Sequence, residues 1–114
     1  MLNLEIDTSG PFIVAGVSGE LGSSEVESFT NQLHEYAAGE GARLAVDLHE
    51  VTFIDSSGLS ALINLVTRAR MTQGRVILVA PTPFVGGVLN VTRLDTWFEI
   101  CDSLKEAGER FGQS

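Results

Sequence analysis

Lysine is almost absent from this sequence: Lys105 stands alone, and with six scattered arginines it faces 15 acidic residues, for a net charge of −8. A nucleic-acid-binding surface needs clustered cations to displace counterions, so no nucleic acid partner is expected. An acidic surface points instead to a protein partner with a basic face. Cysteine is represented only by Cys101, which excludes an intrachain disulfide and reads as a small buried hydrophobe. No apolar run approaches the ~20 residues that cross a bilayer. The opening MLNLEIDTSG carries acids where a signal peptide would carry lysine or arginine, so a cytoplasmic protein without membrane contact is expected. No group of His, Cys, Asp and Glu has metal-ligand spacing, and neither a metal nor a cofactor is expected.

What remains is the composition of an ordered domain. Apolar residues make up 44% of 114 positions, a length that suits one domain over residues 1–114. LNLEID alternates apolar and polar, as a half-buried strand does. Thr8-Ser9-Gly10-Pro11 is a turn signal, and FIVAGV completes an expected antiparallel hairpin. Gly19-Glu20-Leu21-Gly22 breaks the pattern. Ser24 and Glu27 have capping-box spacing, and Val26, Phe29, Leu33 and Tyr36 predict an amphipathic helix over about residues 25–38, ended by Gly39 and Gly41. RLAVDL reads as a strand covered on both faces, followed by a loop at His49-Glu50 and a return to the core at Val51–Ile54.

A second helical stripe, Leu59, Leu62, Ile63 and Val66, runs to about Met71 and is capped by Gly74. RVILVA is another buried strand. Pro81-Thr82-Pro83 opens a third helix with Phe84, Val88 and Leu89 inward, where Gly86-Gly87 implies close packing or a break. Trp97–Ile100 is a short extended piece, and Ser103 caps a last helix from Leu104 to about Phe111. The order predicts an α/β domain with a mixed sheet of four to five strands and about four helices.

The stretch FIDSSGL, residues 53–59, places three small polar groups between a strand and a helix. A hydrolase elbow would read G-x-S-x-G and need a histidine; His34 and His49 are both expected at the surface. A P-loop would need its glycine spacing and lysine. A receiver-type phosphoacceptor aspartate would need an acidic pair after the first strand, where only Thr8-Ser9-Gly10 stands. Capping is the simplest use, with Asp55 and Ser57 both candidates. Either way the Ser56 hydroxyl should lie near solvent at the positive end of the helix dipole, a location that tolerates phosphate. Phosphate there would add about −1.5 to −2 charges beside Asp55, and an interface that buried this surface would meet like-charge repulsion and desolvation while the domain stays folded.

DLHEVTFIDSSGLSALINL resembles the signature of STAS domains, specifically the bacterial anti-sigma factor antagonists, and Gly19-Glu20-Leu21 is similar to that family's G-E-L. The resemblance spans nearly the whole chain and implies a STAS fold and a non-enzymatic partner switch. The unphosphorylated protein would bind an anti-sigma factor that is also an ATP-binding serine kinase, releasing a sigma factor. Phosphorylation would fall on Ser56, and a metal-dependent serine phosphatase would reset the switch. Asp55, Ser57, Gly58 and Leu59 carry over as neighbours shaping the loop and partner surface. Where the family commonly has Asp after G-E-L this chain has Gly22, so Ser23 or Ser24 is expected to fill the gap, or the partner differs. A non-phosphorylated STAS scaffold or sensor in a stress-signalling assembly is the alternative, and a small enzyme using Ser56 or Asp55 a third.

Overall fold

The computed structural model describes residues 1–112. Five strands form one sheet in the order β1-β2-β3-β4-β5: β1 Leu2–Asp7, β2 Ile13–Leu21, β3 Arg43–Ile54, β4 Arg75–Val79 and β5 Glu99–Cys101. The β1–β2 hairpin is antiparallel and every later pairing is parallel. Among these residues three helices lie between strands, α1 Val26–Ala38, α2 Ser56–Met71 and α3 Pro83–Val91, and α4 Leu104–Gly112 follows β5. This is the mixed α/β domain that the strand and helix periodicities predict.

The apolar stripes decide which face each helix covers. Phe29, Leu33 and Ala37 of α1, Leu62 and Val66 of α2, and Val85 and Leu89 of α3 share one core with Leu44, Val46, Val76 and Leu78 of the sheet. Ala107 and Phe111 of α4 close a smaller core on the opposite face over Ala45, Ile77, Val79 and Cys101. Strands β3 and β4 are buried on both faces, which is why RLAVDL and RVILVA lack alternation. Each fully buried Leu or Phe contributes about 1.5–3 kcal/mol of burial. Cys101 is buried, as expected.

Several local expectations are corrected. His49-Glu50 is not a loop: β3 runs through it unbroken. The pairing with β2 absorbs an extra β3 residue between Gly16↔Asp47 and Ser18↔Glu50, and another before Glu20↔Phe53, so two bulges replace the predicted break. Likewise Gly19–Leu21 ends β2 rather than interrupting it. The capping box of Ser24 and Glu27 does not form. The N-cap of α1 is Glu25 with no side-chain cap, and the Ser24 hydroxyl donates to Glu25 Oε1 at 2.7 Å. After α2 the left-handed residue is Gln73, φ 64°, while Gly74 lies where a Cβ would sit 2.9 Å from the Ala42 carbonyl oxygen. In α3 Val85 and Leu89 are buried and Val88 packs half-buried against the core as expected, but Phe84 is 48% exposed, and the helix passes through Gly86-Gly87 without break or close neighbour. Trp97 ends a short 3-10 turn, and only Glu99–Cys101 is strand. Ser103 does cap α4, its Oγ accepting from the Glu106 amide at 3.1 Å.

Candidate functional site

The FIDSSGL stretch spans the end of β3 and the first turn of α2. Asp55 is the N-cap, its backbone extended and its Oδ1 accepting from the Gly58 amide at 2.9 Å. Of the two capping candidates, Asp55 is therefore the one used. Its other oxygen, Oδ2, accepts from the Ser23 amide at 3.0 Å. One carboxylate thus ties the start of α2 to the loop between β2 and α1. The bond from Gly58 does most to hold Asp55 below the ordinary carboxylate pKa; partial burial works against it and the Ser23 bond adds to it.

Ser56 is the first residue of α2 and is exposed. At that position its backbone amide, like that of Ser57, has no helical carbonyl four residues back, and the dipole places positive charge there. Ser57 is half-buried, and Gly58 and Leu59 are buried under the helix start. A Cβ on Gly58 would come 2.1 Å from the Leu21 carbonyl oxygen and 2.8 Å from Ile54 Cγ1, so only glycine lets α2 settle on the end of β2.

Gly22 is buried beside this cap. A Cβ there would sit 3.2 Å from Asp55 Oδ2 and 3.5 Å from the Phe53 ring. With Ser23, Ser24, Glu20 and Glu25 it borders an open cavity of about 230 Å3 that also touches Phe53 and Asp55. Ser23 meets Asp55 through its backbone, and Ser24 turns to Glu25; neither hydroxyl bonds Asp55 in place of the missing acid. Sequence reasoning missed the aromatic border of this site. Phe53, 39% exposed, stacks at 5.6 Å between centroids on Phe84, tilted by 32°. The signal was an aromatic two residues before a cap, but nothing in the periodicity brings α3 beside it.

His34 and His49 are both exposed and stand apart from Ser56 in the fold, on α1 and mid-β3. His49 pairs with Asp47, Nδ1 to Oδ1 2.7 Å, which pushes its pKa up. Among the described residues no group of His, Cys, Asp and Glu is placed to hold a metal, and no helix is long and apolar enough to cross a membrane.

The family model of the STAS domain matches residues 3–107. The anti-sigma-B factor antagonist of Listeria monocytogenes is 27% identical over 84 residues, 74% of each chain. Among solved structures, an anti-sigma factor antagonist from Mycobacterium paratuberculosis superposes with a TM-score of 0.86 at 22% identity, over 97% of this chain and 94% of that one. SpoIIAA, an anti-sigma factor antagonist, matches in its unphosphorylated form with a TM-score of 0.80 at 21% identity over 98% of both chains. Its phosphorylated form, described as a Bacillus cell fate determinant, matches with a TM-score of 0.72 at 21% identity over 95% of this chain and 98% of that one.

Proposed function

The chain belongs to the STAS domain family, and we propose that it works there as an anti-sigma factor antagonist switched by phosphate on Ser56. The unphosphorylated protein, residues 1–114 acting as one cytoplasmic domain, binds an anti-sigma factor that is also an ATP-binding serine kinase. That binding releases a sigma factor. The kinase then transfers phosphate to Ser56, the complex parts, and a metal-dependent serine phosphatase restores the free hydroxyl. No catalytic role falls on this chain itself.

The observation that carries this reading is the separation of tasks at the start of α2. Asp55 alone caps the helix, and the exposed Ser56 is left over beside it. A phosphate at this position meets the positive end of the helix, so the fold tolerates it. A partner docked over the same surface meets about two new negative charges beside Asp55 and must desolvate them. SpoIIAA, known in both forms, shares the fold.

Incubation with the cognate anti-sigma kinase and ATP, followed by phosphopeptide mapping, tests the site. Label is expected on Ser56; label on Ser57 alone overturns the assignment. Ser56→Ala should hold the kinase constitutively and Ser56→Asp should bind at least about tenfold more weakly, a cost of ~1.4 kcal/mol. Equal binding by the two variants would favour a scaffold that assembles without phosphorylation.

A further inference from the structure

A groove between α1 and α2 has none of residues 53–59 in its lining. It holds about 320 Å3, and its walls include Phe29, Thr30 and His34 from α1 and Ala61, Leu65 and Arg68 from α2. That volume is within the range of small-molecule sites. Its apolar surface comes mainly from Met71, 79% exposed, with the edges of Ala61 and Leu65 beside it and Phe29 buried beneath.

The charge around it runs against the rest of the molecule. Of 15 carboxylates in the chain, none lines the groove, whereas Arg68 and His34 both do. The arginine ion pairs among the described residues join Arg75 and Arg110 to Glu99 and Glu106, and leave Arg68 out. An unpaired guanidinium bordering a groove with apolar side chains is a receptor for a planar anion with a hydrocarbon body, because it offers two parallel donors to a carboxylate.

We infer that this groove binds a small carboxylic acid with an aliphatic or aryl body. The hydrocarbon rests on Met71 and the exposed edges of Ala61 and Leu65, and the carboxylate pairs with the Arg68 guanidinium, with Thr30 and His34 on the facing wall as further hydrogen-bonding groups. Arg68 lies twelve residues beyond Ser56 on the same helix, about 18 Å along its axis. The anion-binding end of the groove is therefore remote from Ser56, although Ala61 at its other end is only five residues beyond it, and either site can fail without the other.

Titration of the 15N-labelled protein with 4-phenylbutyrate and with the neutral 4-phenylbutyramide tests this. The acid should give saturable amide shifts confined to the groove, with a millimolar dissociation constant. The amide should bind at least tenfold more weakly. Arg68→Gln, a change at an exposed position, should reduce the acid to the affinity of the amide while leaving the rest of the spectrum unchanged. Absence of saturable shifts at Thr30, His34, Ala61 and Leu65 overturns the inference. So do equal affinities for acid and amide, or an acid affinity untouched by Arg68→Gln.

Discussion

Gly58 lies against Leu21 so closely that a Cβ on the glycine would come 2.1 Å from the leucine's carbonyl oxygen. Both residues are buried, and both are held by regular structure, Leu21 as the last residue of β2 and Gly58 in the first turn of α2. Neither backbone can yield without moving an element. Gly58 is thus required for proximity, not for an unusual φ. This contact sets the depth at which α2 enters the sheet, and with it the height at which Ser56 stands above the surface.

Gly58→Ala should accordingly act as overpacking and destabilise the domain by about 1–3 kcal/mol. Urea unfolding monitored by circular dichroism measures it, and the loss should appear in the midpoint with the slope unchanged. A variant as stable as the parent would mean that α2 is free to slide outward.

Asp55 gives a prediction with a sign in pH. Its pKa is depressed, chiefly by the bond from the Gly58 amide, so the folded value lies below the unfolded value of about 3.9. The stability it contributes is therefore complete above that unfolded value and is lost as pH falls through the folded one. Asp55→Asn keeps a single side-chain oxygen, which cannot replace both carboxylate oxygens at Gly58 and Ser23. At neutral pH the variant should unfold at a lower urea concentration than the parent. In acid, below about pH 3.9, the two midpoints should converge. A gap that stays constant from pH 7 to strong acid would show that the charge of Asp55 is not what the cap uses.

The elements with strong internal periods were legible in the sequence. RLAVDL and RVILVA announced doubly covered strands, and α2 lies where its stripe and the D-S-S-G start place it. The errors came where a partner element overrules a local signal. His49-Glu50 reads as a break because two polar residues interrupt an apolar run, yet bulges against β2 let the strand carry them outward. Ser24 and Glu27 have the spacing of a mutual cap, but Ser24 bonds Glu25 instead. At the site, the residue types of the cap were readable. The bridge from Asp55 to Ser23 was not, since the two lie 32 positions apart. The inward face of α3 was off by one residue at its start, because Val85 rather than Phe84 takes the core position.

That displaced phenylalanine has a consequence. Phe84 is 48% exposed and Phe53 39%, and their rings meet at 5.6 Å beside the Asp55 cap. Half-exposed aromatics in contact are costly to leave in water and are typical anchors of protein interfaces. On the proposed function, this pair is the apolar part of the docking face, and Ser56 is the charged trigger at its edge. Phe84→Ala removes a ring only half withdrawn from water, so stability should fall by no more than about 1.5 kcal/mol. Affinity for the anti-sigma kinase should fall at least about tenfold, as expected of an interface anchor. Lys105→Ala, exposed on α4 across the sheet, should leave that affinity unchanged. Calorimetric titration of the three proteins with the kinase decides the matter. If Phe84→Ala binds as the parent does, the partner approaches Ser56 from the α1 side instead.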